Sequence, residues 1–375
     1  MMNPWRGFAL AALLAVSGAA HAQEIVVGVP HALTGPYAFV GVPIKNGIML
    51  ALEEANEKRV LGEARLKPIV LDDNSDKAQA IALTNQLHAR DKALIMLGPT
   101  SSIEGTAAAP VANDLKFPMF TSAVSADVLK AGPWSYKVTS SPADIMKELG
   151  NHAVQKLKVK RAIFVFNRDN DGFVAQKNTI RDVMKAGGVT VAGEEGILGS
   201  DTDFVALSTK LAASDADAVF IASPAEQGAN IILQAKQAGL SEKTVILAPP
   251  SMASQAFIKT GGKAVDGVVL VADYFAGSKT PQNEAFSAAY QKKYGAAPDN
   301  WAAVGYALGT IAVEAIKAAG PNPTRESVIQ AFGKLGKMPT VLGSGTFEFG
   351  PDRAPHYGAA ILSVTGGQFM AVPAT

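Results

Sequence analysis

The chain has 375 residues, which gives room for two domains of ordinary size, each with its own core. Charged residues make up only 18%, with 34 basic against 33 acidic, so no basic field exists to attract nucleic acid or an anionic membrane surface. Cysteine is absent, which excludes disulfides, thiolate metal centres and cysteine nucleophiles.

The first segment reads as an export signal. Arg6 precedes an apolar run from Phe8 to Val16, and Ala20-His21-Ala22 forms an A-x-A cleavage pattern. That run is too short to span a bilayer, and no later segment approaches ~20 uninterrupted apolar residues. Residues 1–22 are therefore expected to be removed after Ala22, leaving the remainder in the periplasm.

From residue 23 the chain alternates. The β-branched runs Ile25-Val26-Val27, Pro68-Ile69-Val70-Leu71 and Ala93-Leu94-Ile95-Met96-Leu97 are each followed by a longer helical pattern. The rhythm restarts after residue 142. Ala162-Ile163-Phe164-Val165-Phe166, Ala218-Val219-Phe220-Ile221 and Val245-Ile246-Leu247 read as strands, with helices at about 173–186 and 225–238. Such alternation predicts an α/β fold with two doubly wound parallel-sheet lobes. Helical patterns at about 281–294, 300–319 and 323–334 then come in succession, followed by strand-like Thr346–Phe349 and Ala360–Val364. A helical block in this place is expected where the chain crosses back to complete the first lobe.

Catalytic signatures are missing. The sequence contains no G-x-S-x-G elbow, no H-E-x-x-H and no Walker A loop. The histidines (His21, His31, His88, His152, His356) have no metal-ligand spacing, and Asp72–Asp76 lacks the central Gly and terminal Glu of a calcium loop. Neither an enzyme nor a metal or cofactor site is expected. An exported hydrolase with a dispersed active site, or a soluble partner of a sensor, are the readings from other classes.

One stretch points to binding. In Gly98-Pro99-Thr100-Ser101-Ser102 a turn leads from a strand into an alanine-rich helix that opens on three hydroxyls. Unpaired N–H groups at a helix start carry partial positive charge, and hydroxyls add donors, so an anion is stabilised there without Arg or Lys. The same residues also make ordinary N-caps, and capping alone explains such residues.

The order of motifs resembles a family. I-V-V-G-V-P-H-A-L-T-G-P-Y-A-F-V-G (25–41), L-D-D-N-S-D-K-A-Q-A (71–80), G-P-T-S-S (98–102), S-A-V-S-A-D-V-L (122–129), A-I-F-V-F-N-R-D-N-D-G (162–172), I-I-L-Q-A-K-Q-A-G-L (231–240) and T-G-G-K-A-V-D-G-V (260–268) follow one another as in the periplasmic solute-binding proteins of branched-chain amino acid ABC transporters. The resemblance implies a type I bilobed fold with three interlobe crossings. Residues 23–142 plus 273–350 would form one lobe, and 143–272 plus 351–375 the other. It also implies a monomer that captures a small solute in the cleft by hinge closure and delivers it to permease subunits.

Carried over position by position, the resemblance implies that Ser102 holds the solute's carboxylate, assisted by Ser101 and by Ala123 and Ser125 after the next strand. Trp301 falls at an aromatic pocket position, and Phe39 and Tyr274 lie on segments that face the cleft. Three positions depart from the amino-acid binders. Asp171 stands where a tyrosine is typical, Pro224 where another tyrosine is common, and Pro250 where an acidic partner for the α-ammonium belongs. Two readings follow: Asp171 supplies the missing negative charge, or the solute is an aromatic or 2-keto acid without an ammonium. Asp171 reads equally as a turn residue before Gly172.

Overall fold

The computed structural model describes residues 23–372. The expected export signal and its cleavage site lie outside the described residues. The first lobe is built on five short strands, β1 (Glu24–His31), β2 (Arg65–Asp72), β3 (Ile95–Leu97), β4 (Met119–Thr121) and β5 (Ser135–Lys137). They lie parallel in the order β2-β1-β3-β4-β5. The second lobe contains β6 (Arg161–Asn167), β7 (Thr190–Ile197), β8 (Ala218–Ala222), β9 (Val245–Ala248) and β10 (Val269–Ala272). A small three-stranded sheet follows, with β11 (Met338–Pro339), β12 (Thr346–Phe349) and β13 (Pro355–His356). The chain then returns to the second sheet through β14 (Ala360–Thr365) and β15 (Gln368–Ala371), which completes the order β15-β14-β10-β9-β8-β6-β7. Here the sheet differs from a purely parallel one, because β14 and β15 pair antiparallel. Two strands joined by the tight Gly366-Gly367 turn can pair only in that sense.

Both sheets are covered on both faces, which is why their strands read as unbroken apolar runs rather than alternating ones. β8, Ala-Val-Phe-Ile-Ala, is buried at every residue. On β1, Ile25, Val27 and Val29 join the core under the helix Asn300–Ala318, while Val26 packs on the opposite face with Leu87 and Ala108. The helical block after the second lobe does return to the first. Asn300–Ala318 crosses Ala38–Glu57 so closely that a Cβ on Gly47 would sit 2.1 Å from the Ala302 carbonyl oxygen. A Cβ on Gly305 would likewise sit 2.1 Å from that of Ile44, so only glycine lets these two backbones meet.

Three segments run between the lobes: 138–141 after β5, 273–280 after β10, and 357–359 between β13 and β14. The last lies beyond the expected boundary at 350/351, because β13 still pairs with β12 and Tyr357 packs in the first lobe's core. No helix among the described residues is long and apolar enough to cross a membrane.

Candidate functional site

The carboxyl ends of the two sheets face each other across a cleft, the place where open α/β sheets leave room for ligands. From the first lobe, β3 leads through Gly98-Pro99 to Thr100 and to Ser101, the N-cap of the helix Ser102–Asp114. From the second, β6 leads to Asn170, the N-cap of the helix Asp171–Ala186, whose Oδ1 accepts the Gly172 N–H at 2.8 Å. The same Asn170 donates through Nδ2 to the Tyr37 hydroxyl of the first lobe at 2.9 Å, so the lobes touch at this point. Between the two helix starts lies a narrow void of about 40 Å³, which the two lobes nearly close between them.

Its wall has two chemistries. Thr100, Ser101, Ser102 and Ser122 bring hydroxyls from the first lobe, and Asn170, Gln176 and Ser251 bring polar groups from the second. Tyr37, Phe39, Phe173 and Trp301 bring rings. Among the described residues no Asp, Glu, Lys, Arg or His lines the void. Three wall residues keep a buried polar atom without a partner toward the void: Ser101 Oγ, whose other side caps Glu104; Gln176 Oε1; and Trp301 Nε1. Unsatisfied buried groups are costly and uncommon, so these atoms mark where a ligand or water belongs.

Glu104 is buried behind Ser101 and accepts its N–H at 2.6 Å. Burial raises the carboxyl pKa of Glu104. The Ser101 N–H is thereby already used, which leaves hydroxyls and the remaining helix-start N–H groups to meet an anion.

Of the residues expected from sequence, Ser101, Ser102, Phe39 and Trp301 line the void. The others lie elsewhere, for identifiable reasons. Ser125 stands behind the wall: its N–H donates to Ser102 Oγ at 3.0 Å, and its hydroxyl accepts the Asp127 N–H at 3.2 Å. Ala123 is turned into the core. Its N–H donates to Thr121 Oγ1 and its carbonyl accepts from Thr139, while Ser122 and Val124 face the void instead. Tyr274 packs edge-on against Phe286 and hydrogen-bonds Ser287, away from the void. Asp171 is exposed, so it supplies no charge to the wall, and its neighbours Asn170 and Gly172 line it. Pro224 is the N-cap of the helix Ala225–Gln237, and Pro250 opens a 3₁₀ turn; Ser251, not Pro250, reaches the wall. Thr100, the first of the three hydroxyls, lines it too, and Ser122, Val124, Phe173, Gln176 and Ser251 are wall residues that sequence reasoning did not single out.

His31 supports the wall from behind. It is fully buried, and its Nδ1 lies 2.8 Å from Thr100 Oγ1, which also accepts the Ala32 N–H at 3.0 Å. Burial lowers its pKa from 6.5 to about 3. The unfolded chain therefore binds the His31 proton below 6.5 and the folded protein only near 3. Between those values the unfolded state holds more protons, so stability falls as pH drops through this window, by at most ~1.4 kcal/mol per unit from this group. Urea midpoints measured across the window should show a shallower slope for His31→Gln than for the parent. Parallel slopes would show that His31 does not titrate on unfolding.

Comparison with known proteins agrees with this geometry. The family model described as periplasmic binding protein matches residues 24–368. The chain belongs to this family. It is 27% identical over 346 residues to the Leu/Ile/Val-binding protein BraC3 of Rhizobium johnstonii, covering 90% of this chain and 91% of that one. Its fold is that of the leucine-binding protein LivK of Thermotoga maritima, with a TM-score of 0.87, 24% identity, and coverage of 93% and 98% of the two chains. It is equally that of an ABC-transporter solute-binding protein of R. palustris solved with benzoate, with a TM-score of 0.85, 20% identity and coverage of 93% and 96%. The family is one of periplasmic substrate-binding proteins that serve ABC transporters, and its members bind small molecules rather than transform them. This chain is a binding component and not an enzyme.

Proposed function

We propose that the cleft captures a small carboxylate whose body is aromatic or otherwise apolar and which carries no ammonium group. The lobes close on it by hinge motion, and the closed form presents it to the membrane permease of an ABC uptake system. Residues 1–22 act in this reading as an export signal cleaved after Ala22, and the exported protein works as a monomer.

One observation carries the reading: the void is walled by hydroxyls and rings, with no carboxylate among its described residues. A buried ammonium without a carboxylate partner is costly. A carboxylate, by contrast, is accommodated by Ser101, Ser102 and Thr100 at a helix start. The benzoate-bound relative has the same fold and supports this class of solute. The names of the Leu/Ile/Val-binding relatives favour the second reading, an aliphatic amino acid.

A thermal-shift series on the ligand-stripped protein separates the two. A ligand present at 100 times its Kd stabilises by ~2.7 kcal/mol, well within reach of the method. Benzoate and 4-methyl-2-oxopentanoate are expected to raise Tm, and leucine is not. Stabilisation by leucine but by neither acid would overturn the proposal.

A further inference from the structure

The wall's unpartnered atoms describe the polar atoms of the solute. Ser101, Trp301 and Gln176 are 8%, 4% and 3% exposed, and each keeps a polar atom in need of a partner. Their needs differ. The indole N–H only donates, the serine hydroxyl does either, and the amide oxygen of Gln176 only accepts.

An ionised carboxylate has acceptors and no donor. It can complete Ser101 and Trp301, but it leaves Gln176 Oε1 as it was. An ammonium would complete Gln176, yet its charge would be buried against a wall that has no carboxylate to balance it. A neutral donor is what remains.

We propose that the solute carries, besides its carboxylate, a neutral hydrogen-bond donor, a hydroxyl or an uncharged amino group, and that Gln176 reads it. This rests on the reading of the solute as an ammonium-free carboxylate. Gln176 lies on the helix Asp171–Ala186 of the second lobe, whereas Ser101 and Trp301 belong to the first. The carboxylate and the donor are therefore read from opposite sides of the cleft. A solute with both groups ties the lobes together, and one without the donor leaves a buried acceptor unpaired on closure. Sites built to hydrogen-bond a substrate group reject analogues that lack it more strongly than apolar pockets reject a missing methylene.

The test is calorimetric titration of the parent and of Gln176→Leu with matched acids: benzoate against its 3-hydroxy, 4-hydroxy, 4-amino and 4-methoxy derivatives, and 4-methylpentanoate against 2-hydroxy-4-methylpentanoate. In the parent, at least one hydroxy or amino acid should bind about tenfold or more tighter than its unsubstituted partner, the gain of one satisfied buried hydrogen bond. Gln176→Leu should bring that ratio close to one, whatever it does to the absolute affinities. Gln176→Met, closer in shape, repeats the measurement if the leucine variant does not fold. Equal binding of substituted and unsubstituted acids by the parent overturns the inference alone, as does a preference that survives loss of the amide. Tighter binding of the methoxy acid than of the hydroxy acid also overturns it, since Gln176 would then be donating. If none of these acids binds while leucine does, both the inference and the reading beneath it fall.

Discussion

Gly172→Val is expected to weaken solute binding by about 10- to 100-fold while leaving the stability of the ligand-free protein nearly unchanged. Gly172 opens the helix Asp171–Ala186 opposite Ser102, where a Cβ would sit 2.6 Å from Ser102 Oγ and 3.3 Å from Ser102 Cβ. Ser102 Oγ cannot simply swing aside at no cost, because it accepts the Ser125 N–H. Overfilling a packed contact costs ~1–3 kcal/mol, and 1.4 kcal/mol is a factor of ten in affinity. Under the closure proposed above, this contact exists only when the lobes meet, so the penalty falls on the liganded state. Gly172→Ala should show the same effect at smaller size, since it adds one carbon rather than three. Titration gives the affinity and urea unfolding without ligand gives the stability. A variant that loses stability as much as affinity would assign the contact to the fold rather than to closure, and unchanged affinity would remove Gly172 from the closed interface.

That contact shows what a sequence can and cannot reveal. The long β-branched runs and the succession of helices after the second lobe were readable, because burial on both sheet faces and the return crossing leave continuous signals. β4 and β5 have three residues each, too few for any periodicity to register. The third crossing was placed too early because β13 has two residues and no pattern of its own. Within the site, G-P-T-S-S was legible, since its chemistry is local: a strand end, a turn and a helix start. Its partner loop at 169–172 carries no such local signal. In Asn170-Asp171-Gly172 the cap falls on Asn170, which directs Asp171 outward into solvent. In Ser122-Ala123-Val124 alternation along the chain turns Ala123 into the core and its neighbours toward the void. Gln176 had no signal at all. It sits on the buried face of an amphipathic helix near Phe173 and Ile180, and only the approach of the other lobe makes that face a wall.

The interlobe crossings are the other place where a single substitution should have a large effect, here on stability. One buried hydrogen-bonded group ties all three interlobe segments together. Tyr357, from the third, donates its hydroxyl to the carboxyl of Asp273, from the second, and accepts the Ser140 N–H of the first at 2.8 Å. Asn300 Oδ1 accepts the Asp273 N–H at 2.8 Å and orients that residue. Lys137, at the end of β5 and fully enclosed, donates to the carbonyls of Ser140 at 3.4 Å and of Val124 at 2.5 Å, and Val124 lines the void between the lobes. Burial lowers the Lys137 pKa to about 7 and raises that of Asp273, while each group's charge works against the other's shift. Asp273→Ala removes the acceptor of Tyr357 and leaves Lys137 with only the weaker opposing charge of Asp144, so it should destabilise by ~3 kcal/mol or more. Tyr357→Phe strands the Ser140 N–H and one Asp273 oxygen, at ~1–3 kcal/mol. If the three segments are held as one unit, the double variant loses clearly less than the sum, because the first change has already broken what the second removes. Urea unfolding of the four proteins decides it: additive losses would mean that the crossings are secured separately, and the wall at Val124 would then owe nothing to Tyr357 or Asp273.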